Sequence, residues 1–415
     1  MDLDFSKGIF SNCSANEYVL RAVMRRAKAH GLPALIEATA NQVNQFGGYT
    51  GMKPADFVAY VHDIAKSEEF DASQLILGGD HLGPLTWCNI PGISEQEAMK
   101  NAEQLIHDYV AAGFTKIHID TSMRLDSDDK NAPLTDEIIA ERGARLCAVA
   151  ESLGKKPIYI IGSEVPIPGG ATEAEDGLHV TRPQDCTATI NAFKSAFDKL
   201  GLSNAWERVV GVVVQPGVEF GEDDVFVYDR KKAADLCKTI KGDRLVFEGH
   251  STDYQPKQAL REMVEDGITI LKVGPALTFA LREALFALEN IEKVMLRGRG
   301  IILSNFADTL ETTMLEKPGN WNKHYHGDGF KQRINRAYGF SDRARYYLPE
   351  PAVQQSITRL IENLKDGAPL PLLSQFMPIQ YLRVRDGEVK NTAQDLILDR
   401  IGDCIDDYIF AIMPS

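Results

Sequence analysis

The sequence predicts an α/β fold, a closed (β/α)8 TIM barrel carrying a helical C-terminal extension, and three observations lead there. Eight short β-rich runs recur before about residue 280, each followed by a stretch of helical spacing, which is the pattern of a parallel sheet with crossover helices. No G-x-G-x-x-G turn follows the first run, where an open nucleotide-binding sheet would place one, and no Walker A loop is present. The length, 415 residues, exceeds the roughly 250 of a plain barrel yet is short for two large domains.

The runs fall at residues 8–12, 34–38, 75–81 and 116–120, then at 157–162, 209–215, 245–250 and 270–274. Amphipathic stretches at 95–112, 135–153, 185–200, 231–240 and 256–266 read as crossover helices. After the eighth run, 277–294 reads as helix, and the remainder is helix and loop dense in charges and aromatics. The expected division is a barrel over 1–300 and an extension over 301–415 packed on it. The run Ser341-Asp342-Arg343-Ala344-Arg345-Tyr346-Tyr347 is unusually rich in cations and phenols for a linker.

Composition narrows the function classes. With 44% hydrophobic and 25% charged residues the chain has material for an ordinary globular core. A net charge of -14 and a pI near 5.2 argue against a nucleic-acid or anionic-membrane surface, so an anionic substrate requires a local cationic or amide-lined pocket. The six cysteines are scattered without a C-x-x-C pair, which suggests reduced thiols rather than a disulfide scaffold or zinc ribbon. The first residues, MDLDFSKGIF, lack a basic flank leading into an apolar stretch, and no run reaches the length of a membrane span; the cytoplasm is the expected address.

In barrels the reactive groups stand at strand C-terminal ends. Read in order, those ends offer Asn12 and Ser14, Glu37 and Asn41, Asp80 and His81, Asp120 and Ser122, Glu164, Gln215, His250 with Ser251 and Thr252, then Lys272. One such residue is as often a helix cap as a site, but polar groups at nearly all eight ends point to a site. His81 and His250 are candidate ligands for a divalent metal, zinc being expected and manganese or nickel the alternatives, with Glu164, Glu37 or Gln215 completing the shell. Asp80, Asp120 and Glu164 are the candidate acid–base residues, Asp80 being alternatively a carboxylate that orients an imidazole. His118, inside a strand, and His179, in a loop, are weaker candidates, and His30, His62 and His107 read as helix-surface or packing residues.

The turns Gly249-His250-Ser251-Thr252-Asp253 and Gly274-Pro275-Ala276-Leu277-Thr278 follow the seventh and eighth runs, where this fold often binds phosphate through backbone amides. Ser251, Thr252, Gly274 and Ala276 are therefore the candidate phosphate contacts, with Arg343 or Arg345 reaching in as a cation; simple turn chemistry is the competing reading. Glu37, Asn41, Lys272 and Tyr346 complete the candidate substrate contacts. The glycine-rich loop after the second run, with Phe46-Gly47-Gly48-Tyr49-Thr50-Gly51, reads as a candidate lid, as does Pro168-Gly169-Gly170.

Several segments carry a resemblance. Residues 36–52, Leu77-Gly78-Gly79-Asp80-His81-Leu82-Gly83-Pro84, residues 162–170, Val214-Gln215-Pro216-Gly217-Val218-Glu219-Phe220, residues 249–255, residues 271–284 and residues 341–347 together resemble the Z-subunit family of D-tagatose-1,6-bisphosphate aldolase, over essentially the whole chain. The resemblance implies a barrel akin to class II aldolases and a place in galactitol, N-acetylgalactosamine or tagatose breakdown. It implies either of two roles: a metal-dependent C4 epimerase of ketohexoses or their phosphates, such as D-tagatose 6-phosphate and D-fructose 6-phosphate, or a non-catalytic subunit stabilising a catalytic Y-type partner. Some members carry the name tagatose-6-phosphate kinase, which the missing nucleotide loop disfavours. The Asp-His pair of class II aldolases falls on Asp80 and His81, and the histidine after the seventh strand on His250; a third histidine expected after the sixth strand is replaced by Gln215. A homo-oligomer is expected.

Overall fold

The structure, a computed structural model, describes residues 5–413 apart from 89, 130, 131, 133 and 165–177. The glycine pair of Pro168-Gly169-Gly170 lies outside the described residues. Eight parallel strands close into a barrel: β1 (Ile9–Asn12), β2 (Ala34–Thr39), β3 (Leu75–Leu82), β4 (Lys116–Ile119), β5 (Ile158–Ile161), β6 (Val209–Val214), β7 (Val246–Gly249) and β8 (Ile268–Val273), with β8 pairing back onto β1. Each strand is packed on both faces, inward on the barrel interior and outward on helices, which is why the runs are dense in Val and Ile rather than alternating with exposed polar residues. A two-residue antiparallel hairpin, Glu219–Phe220 with Val225–Phe226, interrupts the connection from β6 to β7 and is not signalled by the alternation pattern.

The crossover helices include Glu95–Ala112 and Asp136–Ser152, close to the stretches expected. Their ends follow local chemistry. Ser94 accepts the Glu97 amide at 3.2 Å to open the first, and Gly113, at φ 106°, closes it in a conformation that a side chain would resist.

Inside the barrel the side chains form layers. Phe5, Ile9, Leu35, Ile76, Ile160, Val213 and Ile270 make an apolar plug at the N-terminal end, separate from the larger core between strands and helices. Above it the interior turns polar: Ser11, Glu37, Lys116, Glu248 and Lys272 are all buried. The strand register explains how Glu37 and Lys116 meet although β3 runs between them. Glu37 stands opposite Gly78 and Gly78 opposite Lys116, and a Cβ on Gly78 would lie 2.7 Å from Glu37 Cγ. Glycine there leaves the space through which the two charges pair.

Beyond β8 the helix Pro275–Leu296 leads into helices that include Phe306–Glu316, Gly329–Tyr338, Pro351–Asn363 and Ala393–Ile412. The last packs against Pro275–Leu296, Lys257–Glu265 and Glu17–His30, and its Tyr408 hydroxyl donates to the Thr252 carbonyl at 2.8 Å. Asp342 binds Thr278 Oγ1 at 2.6 Å and Arg282 Nε at 2.9 Å, both buried, and so fixes the turn Arg343–Tyr346 against the helix that follows β8. Among the described residues no helix is long and apolar enough to cross a membrane.

Candidate active site

The end of β3 departs from regular geometry where Asp80 and His81 stand. Consecutive residues of a strand point to opposite faces, but the β3–β4 register shifts between Gly79 and Leu82, and His81 takes a left-handed φ of 50°. A bulge of this kind re-aims a side chain, and both residues line the same cavity. A non-glycine residue at such a φ costs on the order of 1 kcal/mol or more. Gly83 permits the close approach just beyond: a Cβ there would sit 1.7 Å from the Asp120 carbonyl oxygen.

Three imidazoles converge at this end, each held on one nitrogen by a carboxylate. Asp120 meets His81 Nδ1 at 2.8 Å, Asp80 meets His118 Nδ1 at 2.8 Å, and Glu248 meets His250 Nε2 at 2.9 Å. The ring centroids form a near-equilateral triangle, 4.9 Å from His81 to His250 and 5.1 Å on each of the other two sides. One ligand atom from each histidine and one from Asp80 lie within 4.8 Å of one another, all four residues buried. A carboxylate on one nitrogen fixes the tautomer and turns the other nitrogen toward a metal, the arrangement that metal-binding histidines adopt. Nε2 of His118 is buried without a hydrogen-bond partner among the described residues, as an open ligand position would be.

The charges tell the same story. Lys116 Nζ lies 2.8 Å from Glu37 and 2.7 Å from Glu248, and Lys272 Nζ lies 2.9 Å from both Glu37 and Asp80. Burial opposes ionisation of Asp80, but Lys272, His81, His118 and His250 outweigh it and hold the carboxyl well below the usual range. Burial likewise opposes Asp120, yet the His81 hydrogen bond and charge keep it at about 2. Burial brings His250 down to about 4, leaving a neutral imidazole at pH 7. Four carboxyl groups, those of Glu37, Asp80, Asp120 and Glu248, stand against only two lysines around the imidazoles, an acid-rich donor set. A divalent cation on His81, His118 and His250, beside Asp80, suits that set, so the residues present fit such an ion.

The sequence-predicted residues separate into two groups. Asn41, Asp80, His81, His250, Ser251, Lys272, Gly274, Arg345 and Tyr346 line one cavity of about 440 Å³ at the barrel mouth, together with Tyr49 from the glycine-rich loop. Glu37 lies beneath the cavity, occupied by the lysines and by Ser11 Oγ at 2.7 Å, and Asp120 stands behind His81. Two expected metal ligands need correction. Gln215 Oε1 accepts the Gly217 and Val218 amides at 2.9 and 3.0 Å, capping a turn, and exposed Glu164 accepts the Thr181 hydroxyl. The third imidazole is His118, from within β4, and Glu248 is a further member that the strand-end reading passed over.

The expected phosphate loop is also differently used. Asp253 Oδ1 accepts the Gly274 and Ala276 amides at 3.0 and 2.8 Å, and Thr252 Oγ1 donates to the Lys272 carbonyl at 2.7 Å. A carboxylate of the chain itself therefore sits on the helix N-terminus that was the candidate phosphate site. Burial pushes Asp253 up to about 6 despite those two amides. The glycine-rich loop is tied by its own bonds: Asn44 Oδ1 accepts the Phe46 and Gly48 amides at 2.9 and 3.1 Å, and Gln42 Nε2 reaches the Cys13 carbonyl at 2.7 Å.

Residues 3–413 match the protein family described as D-tagatose-1,6-bisphosphate aldolase subunit GatZ/KbaZ-like. Among solved structures, a protein named probable tagatose 6 phosphate kinase, from Sinorhizobium meliloti 1021, is 46% identical with a TM-score of 0.89, over 98% of this chain and 100% of that one. The fructose-bisphosphate aldolase of Campylobacter jejuni is 14% identical with a TM-score of 0.43, over 87% of this chain and 90% of its own. The YdjI aldolase from Escherichia coli K12 is 10% identical with a TM-score of 0.41, over 85% and 92%.

Proposed function

The chain belongs to the GatZ/KbaZ-like family of D-tagatose-1,6-bisphosphate aldolase subunits, and from that premise we propose that it is itself a metal-dependent C4 epimerase of ketohexoses or their phosphates, interconverting D-tagatose 6-phosphate and D-fructose 6-phosphate by retro-aldol chemistry. The observation that carries this reading is the set of three carboxylate-backed imidazoles with Asp80 at the floor of a sugar-sized cavity. A stabilising subunit has no use for a buried, charged constellation that costs folding energy unless each charge is matched.

C4 lies β to the C2 carbonyl, so its proton is not acidic and deprotonation at carbon cannot invert it. Among the described residues and in the sequence no nicotinamide-binding turn offers an oxidative route. Cleavage of the C3–C4 bond remains. A divalent ion held by His81, His118 and His250 would supply a Lewis acid for the ketose oxygens. Asp80, the one carboxylate of the histidine group that lines the cavity, takes the C4 hydroxyl proton as that carbon becomes an aldehyde and the bonding pair passes to C3. Rotation of the retained aldehyde and re-addition, with Asp80 returning the proton, gives the epimer. Asp120 acts through His81, as a positioning residue, and Glu164 contacts Thr181 rather than the cavity. The kinase name borne by the Sinorhizobium protein is not proposed here, for want of any phosphate loop.

The test uses metal-loaded protein without a partner, incubated with D-tagatose 6-phosphate or the 1,6-bisphosphate and followed by NMR. Epimerisation gives D-fructose 6-phosphate, with no solvent deuterium at C4. Triose products accumulating from the bisphosphate indicate an aldolase, and deuterium at C4 removes the cleavage mechanism. A second reading, a subunit docked on a catalytic partner, is favoured by one surface feature. Phe330, Ile334 and Tyr338 repeat every fourth residue along one face of the helix Gly329–Tyr338 and are exposed. Absence of turnover in metal-replete protein would select it.

A further inference from the structure

Among the described residues four arginines are buried, and three have a carboxylate. Arg142 pairs with Asp128 at 2.5 Å, Arg282 with Asp342 at 2.9 Å and Arg336 with Glu311 at 2.6 Å. The fourth, Arg343, is 7% exposed, stands behind Tyr346 rather than on the cavity wall, and has no carboxylate within 4.0 Å among the described residues; its Nη1 donates to the Asn320 carbonyl at 3.3 Å, and its Nε has no hydrogen-bond partner. Half-buried Arg345, two residues on, is likewise without a carboxylate: it donates to the Ser341 and Asp342 carbonyls and, at 2.9 Å, to the Tyr346 hydroxyl.

The two guanidiniums flank one phenol. Their central carbons lie 5.9 Å (Arg343) and 4.4 Å (Arg345) from the Tyr346 ring centroid, and the Tyr49 ring meets Tyr346 edge-on at 4.9 Å. Arg345, Tyr346 and Tyr49 all line the cavity that holds Asp80 and the histidines. Burial lowers neighbouring His324 to about 4, helped by the charge of both arginines, so it adds no third cation at neutral pH. A buried cation without a counter-charge is costly unless a ligand supplies one.

We propose that Arg345, with Tyr346 beside it and the charge of Arg343 behind that ring, anchors one phosphate monoester, so that this chain takes ketose monophosphates in preference to free ketoses and to bisphosphates. The sugar part rests on the reading given above; the phosphate part rests on the arginines alone. A phosphate monoester carries about two negative charges at neutral pH, matching two cations, whereas a carboxylate would bring one. The planar fork of Arg345 suits a tetrahedral oxyanion. Among the described residues the rest of the cavity offers no second anchor. Apart from the histidines, Lys272 is the only other cationic side chain lining it among the described residues; it is held at 2.9 Å by Glu37 and Asp80, and Asp253 and Glu17 add further acid nearby. A second phosphate would meet those carboxylates.

Titration calorimetry on the metal-loaded protein with D-fructose, D-fructose 6-phosphate, D-fructose 1,6-bisphosphate and inorganic phosphate tests this without any variant. The 6-phosphate should bind at least tenfold tighter than fructose and at least as tightly as the bisphosphate, and inorganic phosphate should compete with it. Arg345→Gln should lower 6-phosphate affinity tenfold or more and leave fructose affinity unchanged, with Arg345→Lys intermediate. Equal affinity for fructose and its 6-phosphate, or a bisphosphate binding tenfold tighter than the monophosphate, overturns the proposal. Binding of the predicted kind without turnover upholds the anchor and removes the epimerase instead.

Discussion

The lower and upper halves of the barrel interior are built from the same strands and held by opposite physics. Below, Phe5, Ile9, Leu35, Ile76, Ile160, Val213 and Ile270 fill space with hydrocarbon, and each contributes whatever its neighbours do. Above, Glu37, Lys116, Glu248 and Lys272 are stable only as a set, since each charge is buried and answered by another. The difference teaches where the fold tolerates change. A lost methylene below leaves a hole, whereas a lost charge above leaves its partners unmatched.

The sharpest way to break that contrast is Lys116→Met. It leaves Glu37 and Glu248 facing each other, and unfolding in denaturant should show a loss of about 3–5 kcal/mol. Adding Glu37→Gln to it should recover at least about 1 kcal/mol, because the two residues are coupled. In the plug, Ile270→Ala should cost about 2–5 kcal/mol, with no relief from a second truncation at Ile160. Equal behaviour of the two double variants would erase the distinction.

Asp253 extends the comparison to the rim. Its folded pKa, near 6, lies above the unfolded value of about 4, so the folded state retains a proton that the unfolded chain has released. Stability should therefore fall as pH rises from about 4 to about 6, by roughly 2–3 kcal/mol from this group. Asp253→Asn keeps an acceptor for the Gly274 and Ala276 amides and should flatten that slope; thermal midpoints measured across the window would show an unchanged slope if the assignment is wrong. The smallest expected effect is at Gly78. Gly78→Ala puts a methyl against Glu37 and should cost about 1–3 kcal/mol, while a cost near zero would mean that the ion layer has slack.

Most of the barrel was legible in the sequence, because a strand buried on both faces writes itself as a short apolar run and eight such runs are hard to arrange otherwise. The site was legible where polar residues stood at strand ends, as with Asp80, His81, His250 and Lys272. His118 counted only as a weaker candidate, and Glu248 was passed over, because both precede those ends. A signal for them exists: in Lys116-Ile117-His118-Ile119-Asp120 the polar residues share one parity and the isoleucines the other, so the polar face points into the barrel. Glu248 and His250 repeat the same period. Gln215 misled because its position matched while its side chain was claimed by local turn amides, a contact that spacing does not reveal. The occupation of the Gly274 and Ala276 amides by Asp253 was hidden for the same reason.

The hydroxyl of Tyr408 rests on the backbone of Thr252, a residue 156 positions earlier and two beyond His250. On the ribosome all eight strands therefore leave the exit tunnel well before the residue that pins the loop after β7, and at about 5–20 residues per second that interval lasts on the order of ten to thirty seconds. A nascent chain at that stage holds the loop after His250 without the Tyr408 hydrogen bond, so the brace on that loop is among the last contacts that synthesis makes available.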